Sequence, residues 1–289
     1  MKMKVNILKR DDVAYPEILK EIPSPPKQLY WVGAPIDSWL ELPKVAIVGS
    51  RKASTYGQGV TTKLASELAS YGVVVISGLA LGIDSIAHRA ALDAGGITVA
   101  VLPTGLDKIY PASHTNLARE IVAKNGTLIS EHAPGAPIFK YQFATRTRIE
   151  SGLADAVIVI ETGIHGGSMN TARYALDQGK TVMAVPGNIT SPTSAGTNSL
   201  IKSGALPITD ASDILFALKI QPKKNQPGRV FNGSEQELLV YKKIQSGTTD
   251  QEQLALELNL DASGLNSALT ILEINGYIRA SGNGIWTPL

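Results

Sequence analysis

The chain has 289 residues, 44% of them hydrophobic and 18% charged, with a net charge of +2; this is the profile of an ordinary two-domain protein with ample core. With zero cysteines it has no disulfides or thiolate metal sites, and its four histidines (His88, His114, His132, His165) lack metal-ligand spacing, so neither a metal nor a cofactor is expected. The N-terminus M-K-M-K-V-N-I-L-K-R-D-D lacks the apolar core of a signal peptide, and no apolar run nears the roughly 20 residues that span a bilayer, which predicts a cytoplasmic protein without a membrane partner.

Residues 1–43 are irregular and proline-rich (Pro16, Pro23, Pro25, Pro26, Pro35) and read as an extension packing on a core. The core opens with K-V-A-I-V-G-S-R-K-A-S-T-Y-G from Lys44 to Gly57. Its apolar run, Val45 to Val48, breaks at Gly49 into Ser50 and Arg51, and Val60, Leu64 and Leu68 then recur every fourth residue. That is a strand, a tight turn and a helix opening. Backbone N–H groups and the positive end of a helix attract phosphate there, and Arg51 adds a fork that grips a phosphate bidentately. The dinucleotide fingerprint G-x-G-x-x-G would need glycine at position 51, and G-x-x-x-x-G-K-[ST] is absent, so neither NAD nor a nucleoside triphosphate is indicated. The plainer reading is an ordinary strand-to-helix turn with Arg51 in a surface ion pair.

Further strands are predicted at Val73–Ile76, Ile97–Leu102, Thr127–Ser130, Ala156–Ile160, Thr181–Val185 and Ala205–Ile208. Helical segments ending in glycine lie between most of them, at Ser66–Gly72, Asp84–Gly95, Asn116–Gly126 and Asn170–Gly179. Val/Ile runs separated by helices predict an α/β fold with a parallel sheet covered on both faces, whose ligands sit beyond the carboxyl ends of the strands. Those ends carry Gly49-Ser50-Arg51, Ser77-Gly78-Leu79, Pro103-Thr104-Gly105, Glu131-His132, Glu161-Thr162-Gly163 and Pro186-Gly187-Asn188, and so many small residues predict a continuous groove. Upstream of the Ala156 strand, Lys140 to Gly152 reads K-Y-Q-F-A-T-R-T-R-I-E-S-G, with Lys140, Arg146 and Arg148 beside Tyr141 and Phe143. Cations tracking phosphates among rings that stack on bases suit a single strand of nucleic acid. A solvated basic face is the alternative, and it does not explain the interleaved aromatics.

Residues 221–232, Q-P-K-K-N-Q-P-G-R-V-F-N, read as a linker. Beyond it, helices at Ser234–Gln245, Asp250–Leu258 and Asp261–Asn275 and a hairpin through Tyr277 and Trp286 give 233–289 the outline of a small winged helix. Three basic residues against seven acidic ones leave that segment at −4, so residues 1–232 carry +6. Its third helix has no Lys or Arg and carries Asp261 and Glu273. Backbone neutralisation needs basic residues, so the module reads as a protein-contact domain and any polyanion site belongs to the larger part.

Assembled, the chain resembles the DprA/Smf family of DNA-processing proteins. The resemblance rests on Y-P-E-I-L-K-E-I-P-S-P-P-K-Q-L-Y-W-V-G (15–33), G-S-R-x-x-S-x-Y-G (49–57), S-G-L-A-L-G-I-D-S-I-A-H-R-A-A-L (77–92), F-A-T-R-T-R-I-E-S-G-L (143–153), G-G-S-M-N-T-A (166–172) and A-V-P-G-N (184–188). It implies an extended Rossmann-like core over 44–220 that binds single-stranded DNA without enzymatic activity, forms a homodimer through Ser191 to Leu218, and loads the RecA recombinase during natural transformation. The DNA-binding residues it implies are Gly49, Ser50, Arg51, Lys140, Phe143, Arg146, Arg148, Gly167 and Ser168. Two departures stand out: Thr147 replaces the family's amide with a hydroxyl able to donate to phosphate, and Glu150 replaces an apolar residue, weakening the local field if it faces the pocket.

A different class of function is a nucleotide-processing hydrolase of the lysine-decarboxylase-like phosphoribohydrolase type, because Gly163 to Thr171 is similar to its P-G-G-x-G-T loop and Glu161 with Arg173 could serve its sugar chemistry. A third is regulatory binding of a free nucleotide.

Overall fold

Short Val, Ile and Ala runs form the middle of one nine-stranded sheet in the structure, a computed structural model that describes residues 4–220, 233–282 and 284–288. The expected linker, 221–232, lies outside the described residues. The strands are β1 (Asn6–Lys9), β2 (Gln28–Gly33), β3 (Lys44–Val48), β4 (Val74–Ser77), β5 (Thr98–Val101), β6 (Thr127–Ser130), β7 (Ala156–Val159), β8 (Thr181–Ala184) and β9 (Leu206–Pro207), in the order β1-β2-β6-β5-β4-β3-β7-β8-β9. Pairs from β6 through β9 are parallel. The order reverses at β3, with β4 to β6 on one side and β7 to β9 on the other, and a sheet of this kind opens a crevice at the carboxyl ends where the reversal occurs.

Connecting helices are α1 (Glu17–Lys20), α2 (Asp37–Leu40), α3 (Thr55–Ser70), α4 (Ile83–Asp93), α5 (Thr115–Ala123), α6 (Lys140–Thr145), α7 (Thr147–Leu153), α8 (Ser168–Asp177), α9 (Ala195–Lys202) and α10 (Ala211–Ala217). Neighbouring strand residues point to opposite faces, and both faces are covered. Val45, Ile47 and Val75 pack against Leu64, Leu68 and Ala87 of α3 and α4. Ala46, Val48, Val157 and Val159 pack against Ile149 and Leu153 of α7 and Ala172 and Ala175 of α8. Each Val, Ile or Leu so buried contributes roughly 1.5–3 kcal/mol, which is why the uninterrupted apolar runs become central strands.

Two expectations change. The sheet is not purely parallel: β2 pairs antiparallel with β6, and β1 with β2, so residues 1–43 add strands to the sheet instead of only packing on it. The prolines lie outside Gln28–Gly33, and this edge is anchored by Trp39, fully buried, whose indole N–H donates to Thr127 Oγ1 at 2.9 Å. The basic run from Lys140 is helical, forming α6 and α7, and every residue of α7 is buried.

The described residues fall into two compact units, one within Met1–Gln226 and one within Pro227–Leu289. The second holds α11 (Glu235–Gln245), α12 (Gln251–Leu258) and α13 (Ala262–Ile274), followed by the antiparallel pair β10 (Ile278–Gly282) and β11 (Ile285–Pro288). Ser234, Asp250 and Asp261 cap its helices by accepting from the N–H groups of Glu237, Gln253 and Gly264, and Val240, Ile244, Leu254, Leu265 and Leu269 contribute to a core of its own.

Candidate functional site

The crevice at the reversal is a pocket of about 470 Å³. Eight of the nine residues expected in the site line it: Gly49, Ser50 and Arg51 after β3, Lys140 and Phe143 on α6, Arg146 before α7, and Gly167 and Ser168 at the start of α8. The loop after β3 is held from both sides, since the Ser50 N–H donates to the Glu161 carbonyl at 2.8 Å and the Ser50 carbonyl accepts from the Ile83 N–H at 3.1 Å. Gly82, at φ +78°, makes this possible; a Cβ there would stand 2.3 Å from the Ser50 oxygen. Arg51 and Lys140 are exposed, with no hydrogen-bond or ion-pair partner among the described residues. Phe143 is half-buried, edge-on to Tyr110 with centroids 4.8 Å apart. Gly167 faces open space, α8 has no side-chain N-cap, and the buried Ser168 hydroxyl has no partner.

The helix end that faces the pocket is therefore that of α8 and not, as the Gly49 turn suggested, that of α3. Ser54 caps α3 by accepting from Gly57 N–H, and the buried Glu161 carboxylate accepts from the Ser54 N–H at 2.7 Å and its hydroxyl at 2.6 Å. An internal carboxylate already occupies that helix terminus. Glu161 is thus directed at α3, while Arg173 is exposed over the Tyr174 ring at 5.7 Å, and neither lines the pocket, so the pair suggested for a hydrolase is not assembled there.

Arg148 is the ninth expected residue, and it lies outside the pocket. Its guanidinium binds Glu131 bidentately at 2.8 and 2.6 Å and donates from Nε to the Ser24 carbonyl, which neutralises it and ties α7 to β6 and the N-terminal segment. Arg146 lines the pocket but is also committed: it donates to the Gly78 and Val101 carbonyls and lies 3.6 Å from Asp84, itself held by the Gly78 and Ala80 N–H groups. Gly78 makes room for it, since a Cβ there would coincide with the guanidinium. The Thr147 hydroxyl donates to the Ala144 carbonyl at 2.7 Å, so its proton is not offered to a ligand. Of the six strand exits, those after β3 and β7 line the pocket; Gly78 serves Arg146, Glu131 serves Arg148, and Gly187 packs on Asn198. The groove is correspondingly shorter than the glycine pattern implied.

Glu150 is 1% exposed, lines the pocket, and has no hydrogen-bond partner at Oε1. Burial pushes its carboxyl up to about 8, against the opposing pull of Arg146, so at neutral pH it is mostly uncharged and does not weaken the field. Burial also raises Asp84, against the opposing pull of Arg146 and of the Ala80 and Gly78 N–H donors. Tyr110 escaped sequence reasoning. It forms, with Leu81, Pro103, Pro111 and Phe143, a small apolar slot beside the main pocket, and its signal was an aromatic preceding a proline after a strand exit.

With a mostly parallel sheet and a crevice at the sheet's reversal, the chain is of the doubly wound α/β class, and free cations, a helix end without a side-chain cap and an aromatic ring line that crevice. More narrowly, the chain belongs to the DprA/Smf family: the family model described as DNA recombination-mediator protein A matches residues 6–219. A curated relative from Mycobacterium tuberculosis is 40% identical over 250 residues, which covers 84% of this chain but only 64% of that relative's length. The solved DNA processing protein A (DprA) from Streptococcus pneumoniae is 38% identical with a TM-score of 0.68, covering 74% of each chain. DNA processing protein A from Helicobacter pylori, whose structure concerns its single-stranded DNA binding mode, is 34% identical with a TM-score of 0.67 over 75% of this chain and 96% of that one. Among the described residues, no helix is long and apolar enough to cross a membrane.

Proposed function

We propose that the protein binds single-stranded DNA in this pocket without strong sequence preference, and acts without catalysis as a recombination mediator that loads RecA. The carrying observation is that Arg51 and Lys140 stand unpartnered on the wall that also presents Phe143, above an uncapped helix end. Free cations bind the backbone of any sequence, and a ring stacks on any base. Family membership and the DNA-binding mode of the Helicobacter pylori relative support the same reading.

A homodimer through Ser191–Leu218 would set two pockets on one strand and raise their effective concentration; Phe216 and Leu206 are exposed in that stretch. The acidic C-terminal unit serves as a protein contact. Anisotropy titrations with oligothymidine, a duplex and a mononucleotide test the binding, and light scattering tests the dimer. Acceleration of RecA assembly on DNA coated with single-strand-binding protein tests the mediator role. Tight mononucleotide binding with turnover, or equal affinity for duplex, would overturn the proposal.

A further inference from the structure

We propose that Glu150 contacts DNA as a neutral acid, donating its carboxyl proton to a phosphate oxygen of the strand in the pocket; this rests on the single-stranded DNA reading above. Three buried polar atoms on this pocket's lining residues have no partner: Glu150 Oε1, the Ser168 hydroxyl and Arg146 Nε. Leaving such atoms unsatisfied is costly, and all three belong to residues around one pocket, which points to a ligand there. The Ser168 hydroxyl has a proton to give, and Arg51, Lys140 and the end of α8, which has no side-chain cap, favour negative charge, which makes the ligand an anionic acceptor. An ionised carboxylate would repel that ligand, whereas a protonated one supplies another donor.

The surroundings hold Glu150 in that form. The titratable groups acting on it are Arg146, before its own helix, and Asp84 on α4. Among the elements packed against α7, α8 carries only Arg173 and Asp177, both exposed; α1 carries Glu17 and Lys20, paired with each other; and Lys44, at the opposite end of β3, pairs with Asp155. Lys140 belongs to α6 on the pocket rim, and strands β4 and β5 bring no charged side chain. Burial holds His88 down to about 3, so it stays neutral. With Glu150 ionising at about 8 in the free protein, DNA binding should draw in a proton above neutrality.

The test is a titration of oligothymidine into the full chain at constant ionic strength from pH 7 to pH 9, with calorimetry at pH 8.5 in two buffers of different ionisation enthalpy. If only the acid form binds, affinity falls about tenfold across that range, and the buffers reveal proton uptake. Glu150→Gln, which keeps a donor that cannot titrate, should lose both effects. A flat wild-type profile without proton uptake, or the same linkage in Glu150→Gln, overturns the assignment while leaving the DNA-binding reading intact. Failure of the wild type to bind oligothymidine at any of these pH values overturns both. Because proton uptake is read on the wild type itself, a poorly folded variant does not remove the test.

Discussion

Replacing Arg146 by alanine removes the donor to two buried carbonyls, those of Gly78 and Val101, together with the cation 3.6 Å from Asp84. Arg146 and Asp84 are 7% and 5% exposed, so water does not readily take the missing partner's place. Breaking a buried pair from one side costs roughly 3–5 kcal/mol. Each kcal/mol moves the melting temperature of a unit of this size by about 2–4 °C, so the expected fall is about 6–20 °C. Arg51→Ala is the control, because an exposed, unpartnered side chain changes stability by no more than about 0.5 kcal/mol. Differential scanning calorimetry on both variants, beside oligothymidine titrations well below either transition, separates a clamp from a ligand. Should Arg146→Ala melt with the wild type and yet fail to bind, Arg146 would be a phosphate ligand and the clamp reasoning would be wrong.

Arg51→Ala should weaken binding to every sequence alike and flatten the salt dependence by about 0.7 unit of log K per log salt, the value for one single-strand phosphate contact; an unchanged slope would remove Arg51 from the interface. Phe143→Ala should cost about 1–3 kcal/mol of affinity with the slope intact, since stacking releases no counterions, and a variant that is destabilised but binds normally would make the ring core. Stability should report Glu150 as well. Its folded-state value, about 8, lies above that of an unfolded glutamate, so the folded protein holds the extra proton and stability declines as pH rises between the two, by up to about 1.4 kcal/mol per pH unit. Melting curves from pH 5 to pH 8 should show Glu150→Gln gaining steadily on the wild type, and a constant difference would contradict the buried neutral acid.

Periodicity and residue type alone determined the alternation of strand and helix from Lys44 to Leu218, the turn at Gly49–Arg51, the basic and aromatic run at Lys140–Arg148, and the acidic three-helix segment after it. These are local signals: a continuous Val/Ile run has to be buried on both faces, and a glycine after it has to turn. Which cations remain free was not local. Arg51, Arg146 and Arg148 look alike in a string of letters, yet Arg146 meets a carbonyl 68 residues away and Arg148 a carboxylate 17 residues away, while Arg51 meets neither. The same holds for Glu161, taken up by the cap of α3, and for Glu150, whose charge depends on how completely α7 is covered. Only the folded chain brings such distant partners together, and the low dielectric it creates around them decides which charges survive to meet a ligand.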